Sequence, residues 1–146
     1  MKKIVLEILL GLSLPAAIFH TQLTDMFTAE KPVNKEISFS IARDTNYDAQ
    51  AYDMTLATVH VIVFKVNNHR QTILWDKVFD TLQVKKFPTT CKALQQTVRV
   101  KNIMDRKEKL YVTYIVTYNT KGSLIHVENG TCVLKGEKEG KLAINI

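Results

Sequence analysis

From residue 37 onward, apolar and polar residues alternate with a period of two, and turn-forming clusters interrupt them roughly every ten residues. A strand points successive side chains to opposite faces, so this period buries one face. A helix would need a period near 3.6. Ile37, Phe39 and Ile41 alternate with Ser38, Ser40 and Ala42. Residues 59–66 are apolar on both faces, which predicts a strand inside the sheet packing rather than at its edge. Ile73, Trp75 and Phe79 predict the next strand, extending through Leu82 and Val84 and stopped by Pro88. Leu94, Val98 and Val100 face away from Thr97, Arg99 and Lys101, and residues 110–118 give the strongest alternation in the chain. A return strand over 124–128, a further one over 131–134 and a last one through Leu142, Ile144 and Ile146 complete the pattern.

The breaks carry turn chemistry. Residues 67–70 (Asn-Asn-His-Arg) and 119–122 (Asn-Thr-Lys-Gly) read as hairpin loops. Asn129-Gly130 is the preferred pair for a type I′ turn, and residues 136–140 predict one more turn. A short helical turn is expected over 91–96. About seven short strands with regular turns predict an all-β fold, a small antiparallel β-sandwich over residues 37–146.

Ahead of this domain, Lys2 and Lys3 precede an apolar stretch over residues 4–14, followed by Pro15, Ala16 and Ala17. That order reads as an export signal cut after Ala16, with Glu7 and the bulky Leu14 as departures from the pattern. Residues 17–36 are expected to form a polar linker or arm. The chain carries +6 at neutral pH, and removal of Lys2, Lys3 and Glu7 with the signal leaves +5 on the mature protein. Excess positive charge suits an acidic protein segment, a polyanion or a membrane surface as partner.

The chain has two cysteines, Cys91 and Cys132. In an oxidising compartment one intramolecular bond between them is expected, with two separate buried thiols as the alternative. The bond would close a loop of about 42 residues, worth roughly 4 kcal/mol. Neither cysteine has a second Cys or His at ligand spacing, so a metal site is disfavoured.

Catalytic constellations are scarce. No HExxH, GxSxG, phosphate-binding loop or dinucleotide fingerprint occurs, and the four histidines (His20, His60, His69, His126) stand apart in sequence. Asp76 and Asp80 share one side of a strand, where a solvated face accounts for them with less machinery than a cation site. Lys85, Lys86, Lys92, Arg99, Lys101, Arg106, Lys107 and Lys109 bracket one region and form a candidate basic contact patch. No aromatic motif accompanies it, so an acidic partner fits better than nucleic acid. Asn129-Gly130-Thr131 also matches a glycosylation sequon, but its expected role is the turn. No cofactor is expected.

Residues 58–146 resemble the YbaY/YscW family of small bacterial β-sandwich proteins, which includes type III secretion pilotins. The resemblance rests on element order: TVHVIVF at 58–64, Lys86-Phe87-Pro88 before the next strand, RKEKLYVTYIVT at 106–117, Gly122-Ser123-Leu124-Ile125, Cys132-Val133-Leu134, and Leu142-Ala143-Ile144. It implies a periplasmic assembly or chaperone-like accessory of an envelope secretion complex. The chain departs from such pilotins in having no lipid-attachment cysteine near the signal. The leading expectation is an exported, non-enzymatic binding and assembly module. The alternative is a secreted ligand-binding or inhibitor protein working through its loops and basic face.

Overall fold

The computed structural model describes residues 30–46, 49–133 and 135–146. The expected signal, His20, residues 17–29 of the arm, and Leu134 lie outside the described residues. The domain spans Pro32–Ile146. Its elements are β1 (Val33–Ala42), a one-turn helix α1 (Ala49–Tyr52), β2 (Leu56–Asn67), β3 (Arg70–Val78), β4 (Leu82–Gln83), β5 (Leu94–Ile103), β6 (Lys109–Thr120), β7 (Ser123–Val133) and β8 (Glu139–Asn145). Short 3-10 turns at Val84–Lys86 and Thr90–Lys92 link β4 to β5.

Two sheets form the sandwich. A smaller one runs β5-β1-β8 and a larger one runs β3-β2-β6-β7, with β4 also paired to β2. The expected β-sandwich is present, with one departure from a purely antiparallel plan: β8 lies parallel to β1, Ile37 beside Gly140 and Ile41 beside Ile144. A parallel neighbour needs a long connection, and the chain supplies it by building the whole larger sheet between β1 and β8.

Alternation sets the core. Ile37, Phe39 and Ile41 of β1 face Ala57, Val59, Val61 and Val63 of β2 and Leu110, Val112, Tyr114 and Val116 of β6, all buried. Phe39 sits at the centre, its ring 5.6 Å from Trp75 and 6.1 Å from Phe79. As expected, β2 lies inside its sheet, between β3 and β6. Its second apolar row is not covered by the smaller sheet. Ile62 and Phe64 are half-buried on the outer face, where Phe64 stacks on Tyr111 at 5.4 Å.

The two expected hairpin loops form with positive φ at both central residues, Asn68 and His69 in one and Lys121 and Gly122 in the other. Asn129-Gly130 does not turn. It lies inside β7, with Gly130 opposite Thr113. The Lys121-Gly122 turn starts a return strand that pairs along the whole of β6, so the second turn signal falls mid-ladder. Gly130 serves close approach there: a Cβ would stand 2.6 Å from the Val112 carbonyl oxygen.

β1 begins at Val33, ahead of the expected Ile37, and brings Lys35 into the interior. Burying an ammonium requires a counter-charge, and Lys35 Nζ lies 2.7 Å from Asp105 Oδ1 and donates to the Glu137 carbonyl at 2.8 Å. The Gly136 amide donates to Asp105 Oδ2 at 2.9 Å. One buried cation thus ties the start of β1 to the β5–β6 and β7–β8 turns. Glu108 closes the same end, accepting from Lys65 Nζ at 2.6 Å and from the Met104 amide at 3.0 Å.

The expected disulfide is absent: both thiols are free. Topology explains why. Cys91 precedes β5, whose Leu94 pairs with Ile41 near the Ala42 end of the smaller sheet. Cys132 sits in β7 opposite Tyr111, and its neighbour Val133 packs against Gly140, which pairs with Ile37. From Ile37 to Ile41 alone is about 13 Å at roughly 3.3 Å per residue. Cys91, in the turn leading into the smaller sheet, and Cys132, in the larger one, therefore lie toward opposite ends, where bonding needs Cα atoms within about 7 Å.

Candidate functional site

Three strands cannot cover a sheet four strands wide. The shortfall falls on β7, the end strand of the larger sheet. At one end β7 meets β8: Val133 is buried, and a Cβ on Gly140 would lie 2.6 Å from Val133 Cγ2, so the closure depends on that glycine. Toward the Ala42 end no described strand covers the inward face of β7. Ile125, opposite Tyr118, is 61% exposed, and Val127, opposite Val116, is 46% exposed. Ile146, itself buried, forms the opposite lip.

These residues line a cleft of about 400 Å³ together with Tyr52, Thr55, Val84 and Thr120. Its floor is held in register by a 2.8 Å hydrogen bond between the Thr55 and Thr120 hydroxyls. The lip is fixed by the Asp44 amide donating to the Ile146 carbonyl at 2.8 Å, and the Ile146 amide donating to Ala42 at 2.9 Å. Asp44 caps its own turn by accepting from the Asn46 amide at 2.8 Å, which sets a carboxylate at the rim. Burial, then the Tyr114 and Tyr52 phenols and the Asp44 carboxylate, raise Tyr118 above the ordinary tyrosine value of 10.0. Tyr118 therefore stays protonated at neutral pH and can donate. The arrangement suits an apolar side chain or short segment on the floor, with polar or basic atoms at the rim.

The eight residues of the candidate basic patch fall in separate places. Lys85, Lys86 and Lys92 occupy the 3-10 turns between β4 and β5. Arg99 lies on the outer face of the smaller sheet, 3.0 Å from Glu36, and Lys101 is exposed further along β5. Arg106 and Lys107 occupy the β5–β6 turn, and Lys109 opens β6. Lys85 pairs with Asp53 at 2.5 Å. Cys91 is exposed and Cys132 half-exposed.

His60 and Asp76 meet on the outer face of the larger sheet at 2.6 Å, while Asp80 lies beyond β3. His126 accepts or donates through Nδ1 to the Thr117 hydroxyl at 3.0 Å. Among the described residues no three His, Cys, Asp or Glu side chains group as a metal site. No described helix is long and apolar enough to cross a membrane.

The cleft residues carry no motif. Tyr118, Ile125 and Val127 read in sequence as ordinary strand positions, and Ile125 looks no different from its neighbour Leu124. What makes them a site is that, among the described residues, no fourth strand lies opposite, a property of topology. Comparison with protein-family models, curated proteins and solved structures finds no match for this chain.

Proposed function

We propose that this chain is an exported, non-enzymatic binding module that holds an apolar segment of a partner protein in the cleft between β7 and the Ile146 lip. The observation that carries the reading is the open flank itself. Ile125 and Val127 face inward yet stay exposed, beside a protonated Tyr118 and an acidic rim. An unsatisfied apolar surface on a rigid sandwich is the kind of feature that marks a protein-interaction site. The export element rests on Lys2, Lys3 and the apolar stretch over residues 4–14, since the cysteines no longer support it. The resemblance of residues 58–146 to the YbaY/YscW family supplies the assembly role, a pilotin-like or chaperone-like accessory of an envelope complex.

Two experiments test this. Fractionation followed by intact-mass measurement should find the chain outside the cytosol, shortened at its N-terminus. A cytosolic protein retaining Met1 overturns the export element. Co-purification should then recover a partner with the wild-type chain that Ile125→Asp and Tyr118→Ala both lose while remaining folded. A partner retained by both variants overturns the cleft.

A further inference from the structure

We infer that the free edge of β7 pairs with β7 of a second copy of this chain, antiparallel and centred on Val127, to make a two-fold dimer. This goes beyond the cleft reading and uses the free edge of the same strand. β7 is an eleven-residue edge strand. Long edges are normally guarded by lysine, proline or a bulge. Residues 123–133 contain no Lys, Arg or Pro, although the chain carries +6 overall. Their pairing with β6 runs without a register shift.

The hydrogen-bonding phase of that edge follows from the hairpin. Thr120 and Ser123 flank the two-residue Lys121-Gly122 turn and form a hydrogen-bonded pair, so the odd-numbered residues of β7 turn their amides toward β6. Consistent with this, the Asn129 carbonyl also accepts from Thr113 Oγ1 at 2.9 Å. Leu124, His126, Glu128 and Gly130 therefore turn their N–H and C=O groups outward to the free edge.

Among antiparallel self-pairings, a two-fold axis at Val127 is the one that sets His126 opposite Glu128 of the second copy, twice by symmetry. It does so with both residues in the hydrogen-bonding phase. The same register lays Leu124, exposed on the outer face, across Gly130 of its mate, which offers no side chain to clash. Val127 meets its own copy in the closer, non-hydrogen-bonded kind of pair. Residues 123–131 of each chain would share about eight backbone hydrogen bonds. Isologous pairing of this kind closes on itself and uses up the β7 edge of both copies. It also places the two inward rows of Ile125 and Val127 side by side.

Sedimentation velocity on the full chain, from micromolar to submillimolar concentration, should show a reversible dimer. His126→Glu puts like charges opposite each other and should raise the dimer dissociation constant at least about tenfold. The double variant His126→Glu with Glu128→His restores the histidine–glutamate pairing only in this register and should recover wild-type affinity. In a Cys91→Ser, Cys132→Ser background, Val127→Cys should oxidise to a covalent dimer and Ile125→Cys should not. Circular dichroism confirms that each variant folds. A chain monomeric at every concentration, a dimer indifferent to His126→Glu, a swap that fails to restore pairing, or cross-linking at 125 but not at 127 each overturns the inference. His126→Glu alters no residue lining the cleft, so loss of the dimer in that variant with partner binding intact separates the two readings.

Discussion

Removing the Asp105 carboxylate should destabilise the domain more than removing any exposed charge. The Lys35 side chain is 1% exposed, and its ammonium lies 2.7 Å from Asp105. In Asp105→Ala the ammonium loses this counter-charge while its desolvation cost remains, and the Gly136 amide loses its acceptor. Breaking a buried pair from one side typically costs about 3–5 kcal/mol. Replacing both partners with apolar residues should cost far less, so Lys35→Met with Asp105→Leu should recover most of the loss. The same site has a pH signature. Burial pushes Asp105 upward, but the Lys35 hydrogen bond, the Gly136 amide and the charges of Lys35 and Lys135 outweigh it and hold the carboxyl below its ordinary 3.8. Burial opposes Glu108 in the same way, and Lys65, the Met104 amide and Asn67 hold it below 4.5. Both folded values are depressed, so this stabilisation is complete above the unfolded carboxylate values and is lost as pH falls through the folded ones. Urea unfolding of wild type should therefore weaken as the solution is acidified below those ordinary values, and Asp105→Asn should flatten that dependence. A loss under about 1 kcal/mol for Asp105→Ala, or a double variant no more stable than the single one, refutes the reasoning.

Other outcomes follow from the core, the ladder and the thiols. Phe39→Ala empties the position between Trp75 and Phe79 and should cost about 3–5 kcal/mol by thermal or urea unfolding. Gly130→Ala forces a Cβ toward the Val112 carbonyl and should cost about 1–3 kcal/mol in the same assay, whereas a turn at Asn129-Gly130 would tolerate it. Thiol titration without reductant should count two free cysteines per chain, and reductant should leave the unfolding midpoint unchanged.

Where burial depends on local alternation, the sequence was legible. The inward row of β1 could be named residue by residue and the alternation of β6 was plain, because one buried face imposes period two on any strand; β2, apolar on both faces, did not show which row faces the smaller sheet. Both two-residue hairpin turns were visible, since positive φ selects for Asn, His or Gly at such positions. The Asn129-Gly130 signal misled because turn propensity is local, whereas the pairing of β7 along β6 was already set by the earlier turn. The disulfide misled for a related reason. Two cysteines fix a connectivity but not a distance, and the β1–β8 pairing places them toward opposite ends. Lys35 looked like part of a polar arm because its partner, Asp105, lies seventy residues away in sequence. The cleft could not be read at all. It arises from the count of strands in each sheet, which no single segment encodes.

Site-specific photo-cross-linking in the native cell tests the cleft most directly. A photoreactive phenylalanine analogue at Ile125 should yield a defined adduct to another protein, distinguishable by mass from the dimer of this chain. The same analogue at Lys141, exposed on the smaller sheet, should yield none. Identical adducts from both positions, or none from Ile125, would contradict the account.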